Sequence, residues 1–281
     1  SRDIWDPAIL ATKALGLQQS WHPVSIQFSH KAKRPDMKTL VKHLLALAGL
    51  EVRRINRIES LDLYPIFASL SARPTRLGVI QVGANDGVSN DPIFSSVHRF
   101  VHKILLIEPQ QEVAQLLLKN YADFTGIVDI ETRAVCDEKS IRLFRISGEA
   151  GHRVSSANAS GITSSNKAHV ERYAAKYLGD AYTPQSIMPF DVDCVKLGDL
   201  IAQHFATMDL FLQIDAEGAD WAVIQTLGGE RPMAINFETK HLDRRSHRSA
   251  VAWLRDEGYE IFDHGGDCLA IRSGRRHELN Q

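Results

Sequence analysis

Residues 77–109, LGVIQVGANDGVSNDPIFSSVHRFVHKILLIEP, limit what this chain can fold into more than any other stretch. An apolar strand, Leu77–Val82, runs into the turn Gly83-Ala84-Asn85-Asp86-Gly87. A helix start follows at Asn90-Asp91-Pro92, and a second apolar strand, Ile104–Ile107, ends on Glu108. Strand, glycine-rich turn, helix and a strand closing on a carboxylate form half of a nucleotide-binding α/β unit. Gly83 and Gly87 would let backbone approach a ligand, and Asn85 tolerates the left-handed conformation such turns use. Glu108 stands where an acid accepts the protons of two ribose hydroxyls.

The turn departs from the dinucleotide fingerprint. That fingerprint carries a third glycine so that a pyrophosphate can rest on the helix N-terminus. Here the spacing is G-x-N-x-G, and Asp86 places a negative charge where a diphosphate would lie. A carboxylate suits a ligand with a ribose and an ammonium or sulfonium and no phosphate, such as S-adenosylmethionine.

Further strand ends carry acids. Asp209–Ile214 ends in Asp215-Ala216-Glu217-Gly218, and a helix with Trp221, Ile224 and Leu227 on one side stops at Gly228-Gly229. Ala234–Phe237 then ends in Glu238-Thr239-Lys240-His241. Ligands of open α/β sheets bind beyond the carboxyl ends of the strands. Asp86, Glu108, Asp215, Glu217, Glu238 and His241 all fall there, a grouping that solvation alone explains poorly. Tyr259–Phe262 and Cys268–Ile271 are separated by Asp263-His264-Gly265-Gly266-Asp267, too short for a parallel crossover and suited to a hairpin. The expected fold is therefore α/β: a Rossmann-like class I methyltransferase sheet, mostly parallel, with an antiparallel C-terminal hairpin.

QVGANDG, LLIEP, QIDAEGADWAVIQTL and INFE resemble the FkbM-type methyltransferases over approximately residues 77–272. The D-x-E-G segment is the most distinctive part of the resemblance. It implies a seven-stranded class I fold, S-adenosylmethionine as donor, and O-methylation of a hydroxyl on a sugar or secondary metabolite. Gln81 departs from the acid more usual before the turn, and residues 139–190 form a longer connection than usual.

With that donor, the backbone of Gly83, Ala84, Asn85, Asp86 and Gly87 is expected to support the methionine and ribose portions. Glu108 takes the ribose hydroxyls, Val135 the adenine edge, and Asp137, past a third strand read at Ala134–Cys136, the adenine amino group. Asp215 and Glu217 are expected near the sulfonium, with Asp215, Glu238 and His241 as the catalytic group. His241 is the first candidate for general base because its ordinary pKa lies near neutral pH; His152 is another. No dedicated metal centre is read, although Asp215, Glu217 and Glu238 offer the hard oxygens magnesium takes. A nicotinamide oxidoreductase and a non-catalytic S-adenosylmethionine-binding protein are the alternatives.

Composition bounds the rest. The 281 residues are 44% hydrophobic, enough for one sizeable core and an appendage. A net charge of −1 gives little drive toward nucleic acid, and no apolar run reaches the length of a membrane span. No signal-peptide pattern is read, and a start at Ser1 without methionine leaves open an upstream segment. Cys136, Cys194 and Cys268 read as buried thiols in a reducing, cytoplasmic setting, not as a disulfide.

Residues 1–75 read as an irregular and helical appendage, with a basic run His30–Arg34 and helical spacing at Leu40–Ala48 and Ile58–Leu70. It would cap the sheet or form a homo-oligomer contact. Residues 76–281 form the methyltransferase domain with an insertion at about 139–190. There Ile141–Ile146 alternates as an edge strand does. A polar loop at 155–166 could close as a lid, and a helix places Val170, Tyr173, Ala174, Tyr177 and Leu178 on one face. The expected acceptor is a small hydroxylated molecule.

Overall fold

The computed structural model of the chain describes residues 61–147 and 161–272. His152, the basic run, the helix expected at Leu40–Ala48 and most of the proposed lid lie outside the described residues. Of the second N-terminal helix, α1 is seen at Tyr64–Ser71, with Pro65 in its first turn. It is shorter than the apolar spacing suggested, because Leu61, Asp62 and Leu63 are not helical.

Four parallel strands form the centre of the main sheet. They are β1 (Leu77–Val82), β2 (Lys103–Ile107), β7 (Asp209–Ile214) and β8 (Ala234–Glu238). The edge strand β3 (Ile127–Glu131) pairs parallel with β2. At the other edge β9 (Tyr259–His264) and β10 (Asp267–Arg272) make the expected hairpin, and β10 runs antiparallel to both β8 and β9. The order is β3-β2-β1-β7-β8-β10-β9.

The third strand is not where the sequence put it. Ala134–Val135 is β4 of a separate three-stranded sheet, pairing parallel with β6 (Ile187–Val195), which pairs antiparallel with β5 (Ser140–Ile146). The true third strand, Ile127-Val128-Asp129-Ile130-Glu131, is half exposed at the sheet edge, and its alternation gives a weaker signal than a buried run.

Every residue of β1 is buried, and its two faces feed different layers. Ile80 and Val82 join Leu105, Ile107, Leu212 and Ile214 against α5 (Leu197–His204), α6 (Asp220–Gln225) and α7 (Arg244–Asp256). Leu77 and Val79 join Ile104, Leu106 and Phe211 against α1, α2 (Phe94–Phe100) and α3 (Gln111–Asn120). Phe67 of α1 meets Phe211 with ring centroids 4.5 Å apart, each such ring contributing about 1.5–3 kcal/mol of burial. A smaller core of Ile146, Ile162, Val170, Ala174, Leu178 and Ile187 fixes α4 (Lys167–Leu178) on the second sheet.

The cysteine expectation is overturned. Cys136 and Cys194 form a disulfide, Cα–Cα 5.4 Å, because pairing of β4 with β6 brings together two residues 58 apart in sequence. The argument for a reducing compartment thereby loses two of its three thiols; Cys268 is free and buried. No helix among the described residues is long and apolar enough to cross a membrane.

Gly87 has φ +72, and a Cβ there would stand 2.7 Å from both Leu117 Cδ2 and Tyr121 Cε2. Its lack of a side chain serves packing of the turn on α3. We expect Gly87→Val to destabilise the fold by about 2–4 kcal/mol through overpacking and left-handed strain, read as a lower urea midpoint. Affinity of the folded fraction for S-adenosylhomocysteine should stay near wild type. Normal stability with lost affinity would instead make Gly87 a ligand contact.

Candidate active site

Beyond the carboxyl ends of β1, β2, β7 and β8 lies a cavity of about 480 Å³, within the range of small-molecule sites. The turn after β1 forms one side. Gly83 has φ +74, and a Cβ on it would sit 2.0 Å from the backbone oxygen of Asp215, so only glycine lets the turns after β1 and β7 approach this closely. Asn85 also takes a positive φ, 47°, as its residue type allows. Gly83, Ala84 and Asn85 line the cavity; Asp86 and Gly87 are not among the lining residues. Asp86 turns into its own loop, accepting from Val88 N, Ser89 N and Ser89 Oγ at 3.0, 2.8 and 2.6 Å. The electrostatic role read for it at the ligand is not the one its geometry serves.

Glu108 ends β2 and is 4% exposed. Its Oε2 accepts from Asn85 N at 3.0 Å, and its Oε1 accepts from Gln110 N and Gln110 Nε2 at 2.9 and 3.2 Å. Burial raises its pKa against the pull of these bonds. Glu108 thus fastens the turn after β1 to the end of β2 while facing the cavity. Ile107, Ala134 and Val135 add an apolar wall beside it. Asp137 is not part of that wall: its side chain is 80% exposed and pairs with Lys196 Nζ at 2.5 Å.

A row of polar side chains crosses the sheet below the cavity. Gln81, Gln213 and Asn236 are paired neighbours on β1, β7 and β8. Asn236 Nδ2 donates to Gln213 Oε1, and Asn236 Oδ1 meets His264 Nε2, both at 3.0 Å. Gln81 Nε2 donates to Asp91 Oδ2 at 2.9 Å, which accounts for an amide where the family more often has an acid.

Beside the glycine turn, at the end of the neighbouring strand β7, stand the acids of DAEGAD. Asp215 is exposed where it lines the cavity, yet desolvation by the protein around its carboxyl, with Glu238 and Asp267 nearby, raises its pKa to about 7. Glu217 holds a left-handed φ of 49°, an unfavourable state for this residue, and Ser164 Oγ donates to its carbonyl at 3.2 Å. Burial and the charges of Asp215 and Glu238 push Glu217 up to about 8. Asp220, fully buried, accepts from Ala216 N, Gly218 N and Glu238 N at 3.5, 3.3 and 3.2 Å, pinning the loop after β7 to the end of β8. Burial, with Asp215 close by, raises it to about 8.

Helix α4 adds two residues not expected at the site from sequence: Tyr173, which lines the cavity, and His169, buried behind it. His169 Nε2 lies 2.8 Å from Glu217 Oε2, and Tyr173 OH 2.9 Å from His241 Nε2. His241 Nδ1 is 3.0 Å from Glu217 Oε2 and 2.6 Å from Glu238 Oε2. Burial lowers the pKa of His241, and lowers that of His169 to about 4. Asp220, Lys240, Gln213 and Asp267 were also missed as site residues, although all but Asp220 line the cavity.

Sheet order, the closing antiparallel strand and the ligand edge define a class I methyltransferase fold. In sequence, the family described as Methyltransferase FkbM domain matches residues 81–261. The chain belongs to that family, which implies S-adenosylmethionine as its methyl donor. Among solved structures, a methyltransferase FkbM from Methylobacillus flagellatus is 14% identical, with TM-score 0.40, covering 73% of this chain and 47% of its own. The chain thus spans about half the length of that relative. A SAM-dependent O-methyltransferase from Thermotoga maritima is 11% identical, TM-score 0.38, covering 80% and 70%. M. capricolum TrmK, in complex with S-adenosyl-homocysteine, is 8% identical, TM-score 0.34, covering 76% and 72%. No curated protein matches the chain.

Proposed function

We propose that the chain is an S-adenosylmethionine-dependent O-methyltransferase acting on a hydroxyl of a small molecule, of the sugar or secondary-metabolite class. The observation that carries this reading is one cavity lined together by the Gly83 turn, Glu108 and Asp215. The cavity suits the donor: the turn Gly83-Ala84-Asn85 lines it, and the apolar wall of Ile107, Ala134 and Val135 is of a kind that adenine packs against. Bound there, the donor supplies a methyl group activated by a sulfonium. Gly83, Ala84 and Asn85 would hold its methionine and ribose portions, Glu108 its ribose hydroxyls, and Ala134 and Val135 its adenine.

The protein's remaining task is to orient the acceptor oxygen and take its proton. Asp215 faces the cavity and is the group we assign as base. His241, the first candidate from sequence, has Nε2 at Tyr173 and Nδ1 enclosed between Glu217 and Glu238, which leaves it no nitrogen for an incoming hydroxyl. Glu217 and Glu238 shape the wall on the acceptor side, where Tyr173, Tyr177 and Lys240 also face the cavity.

Calorimetric titration should show binding of S-adenosylmethionine and S-adenosylhomocysteine and none of NAD. Labelled donor should then pass its methyl to hydroxylated acceptors in a mixed panel. Preferential binding of NAD would overturn the donor assignment. Transfer confined to amine or carbon acceptors would overturn the O-methylation.

A further inference from the structure

We propose that His169, Glu217, Glu238 and His241 form a binding site for a divalent transition-metal ion on the acceptor side of the cavity. His169 comes from α4, Glu217 from the loop after β7, Glu238 from the end of β8, and His241 from the loop beyond it. Glu217 Oε2 is 2.8 Å from His169 Nε2 and 3.0 Å from His241 Nδ1, and Glu238 Oε2 is 2.6 Å from that same Nδ1. The ligand atoms of His169, Glu217 and His241 all lie within 4.8 Å of one another. Tetrahedral ligands at ordinary zinc distances stand about 3.3 Å apart, so an ion would widen these three separations by about 0.3 to 0.7 Å.

Hydrogen-bond accounting points the same way. His241 Nδ1 and Glu238 Oε2 are both buried, and neither makes a hydrogen bond despite their separation. Buried polar atoms are nearly always paired. If the His241 proton is on Nε2 and both acids are ionised, the Nδ1 lone pair faces two carboxylate oxygens and is repelled by both. If it is on Nδ1, the proton lacks a well-directed acceptor. A cation between the three atoms removes the conflict in the first tautomer, where Nε2–H donates to Tyr173 OH. That arrangement, one imidazole nitrogen on the metal and the other held by a hydrogen bond, is the usual one for a histidine ligand.

His169 needs one adjustment. Arg172 Nη2 lies 3.3 Å from its Nδ1, so that nitrogen accepts and Nε2 carries the proton toward Glu217. Loading moves that proton to Nδ1 and turns Arg172 aside, which makes His169 the weaker of the two imidazoles. Two imidazoles with two carboxylates suit zinc, iron(II), cobalt or manganese better than magnesium, which takes oxygen ligands. The site therefore differs from the Asp215–Glu217–Glu238 oxygen set read from sequence. Glu217, Glu238 and His241 line the cavity, so a remaining coordination position would face the acceptor and favour one offering an oxygen ligand. This last step rests on the proposed methyltransferase reading; the metal site itself does not.

The test uses the full chain, stripped with chelator and titrated with cobalt(II) and zinc without donor or acceptor. One equivalent should bind; cobalt should give the visible absorption of a tetrahedral nitrogen- and oxygen-ligated ion, and zinc should displace it and raise the melting temperature. Magnesium in excess should do neither. His241→Gln should weaken zinc by about 100-fold or more, and His169→Gln by less. Unfolding of either variant would leave the wild-type cobalt spectrum to decide. Absence of a stoichiometric cobalt band, or zinc binding unchanged in both folded variants, would overturn the site. Failure of methyl transfer with metal bound would count against the function proposed above and leave the metal site standing.

Discussion

Asp215→Asn is expected to lower the rate of methyl transfer by about two to four powers of ten, the usual worth of general-base help. The substitution keeps shape and hydrogen-bonding reach and removes the ability to take a proton near neutral pH. Asp215 lines the cavity beside the Gly83 turn, whose approach to the Asp215 backbone is so close that a Cβ would fall 2.0 Å from it. Its side chain thus borders the donor's place as well as the acceptor's, so asparagine should also weaken S-adenosylmethionine, though far less than it slows turnover. Single-turnover measurement with saturating donor separates the two effects. His241→Gln is the control: a base at His241 would give it the larger loss in metal-stripped enzyme. Near-normal single-turnover rates in Asp215→Asn would remove Asp215 from proton transfer altogether.

The sequence revealed the sheet wherever burial leaves a continuous apolar run. β1, β2, β7 and β8 are each covered on both faces, and their Val, Ile, Leu and Phe runs gave both position and parallel direction. The Gly265-Gly266 turn likewise fixed the hairpin, both glycines having positive φ. Legibility failed at β3, whose half-exposed residues look like surface, and with β3 missed, Ala134–Val135 was taken into the wrong sheet. The disulfide was lost for the same reason. Cys136 and Cys194 become neighbours only through the pairing of β4 with β6, which no local pattern of either segment announces.

The site divides along similar lines. Acids at strand ends could be placed because strand ends could, and Glu108, Asp215, Glu217 and Glu238 do face one cavity. Direction within a turn could not be read. Asp86 and Asp137 lie in the right loops, but one is satisfied by Ser89 and its backbone and the other by Lys196. His169 was hidden because α4 belongs to an insertion whose docking is long-range. A clue was present: His169 and Tyr173 are four residues apart, hence on one helical face, where a histidine beside Val170 and Ala174 is unusual enough to ask what it meets.

Glu108→Ala is expected to weaken S-adenosylhomocysteine by about 1.5–3 kcal/mol, roughly 10- to 150-fold, the range for a hydrogen bond to a charged group. Two losses are combined in that figure, and they can be separated. In the proposed assignment Glu108 gives the ligand an acceptor, and it also ties Asn85 N and Gln110 N in place. Alanine removes both functions and leaves two backbone donors to find water. Glu108→Gln keeps the shape and one carbonyl acceptor but turns an amide group toward a backbone donor, so it should fall between wild type and alanine. Comparison with a 2′-deoxy form of the ligand closes a double-mutant cycle. If Glu108 accepts from the ribose, the deoxy ligand binds wild type poorly and loses little more on alanine substitution. Equal loss for both ligands would mean that Glu108 acts only by holding the turn. Unchanged affinity in the alanine variant would place the ribose elsewhere in the cavity.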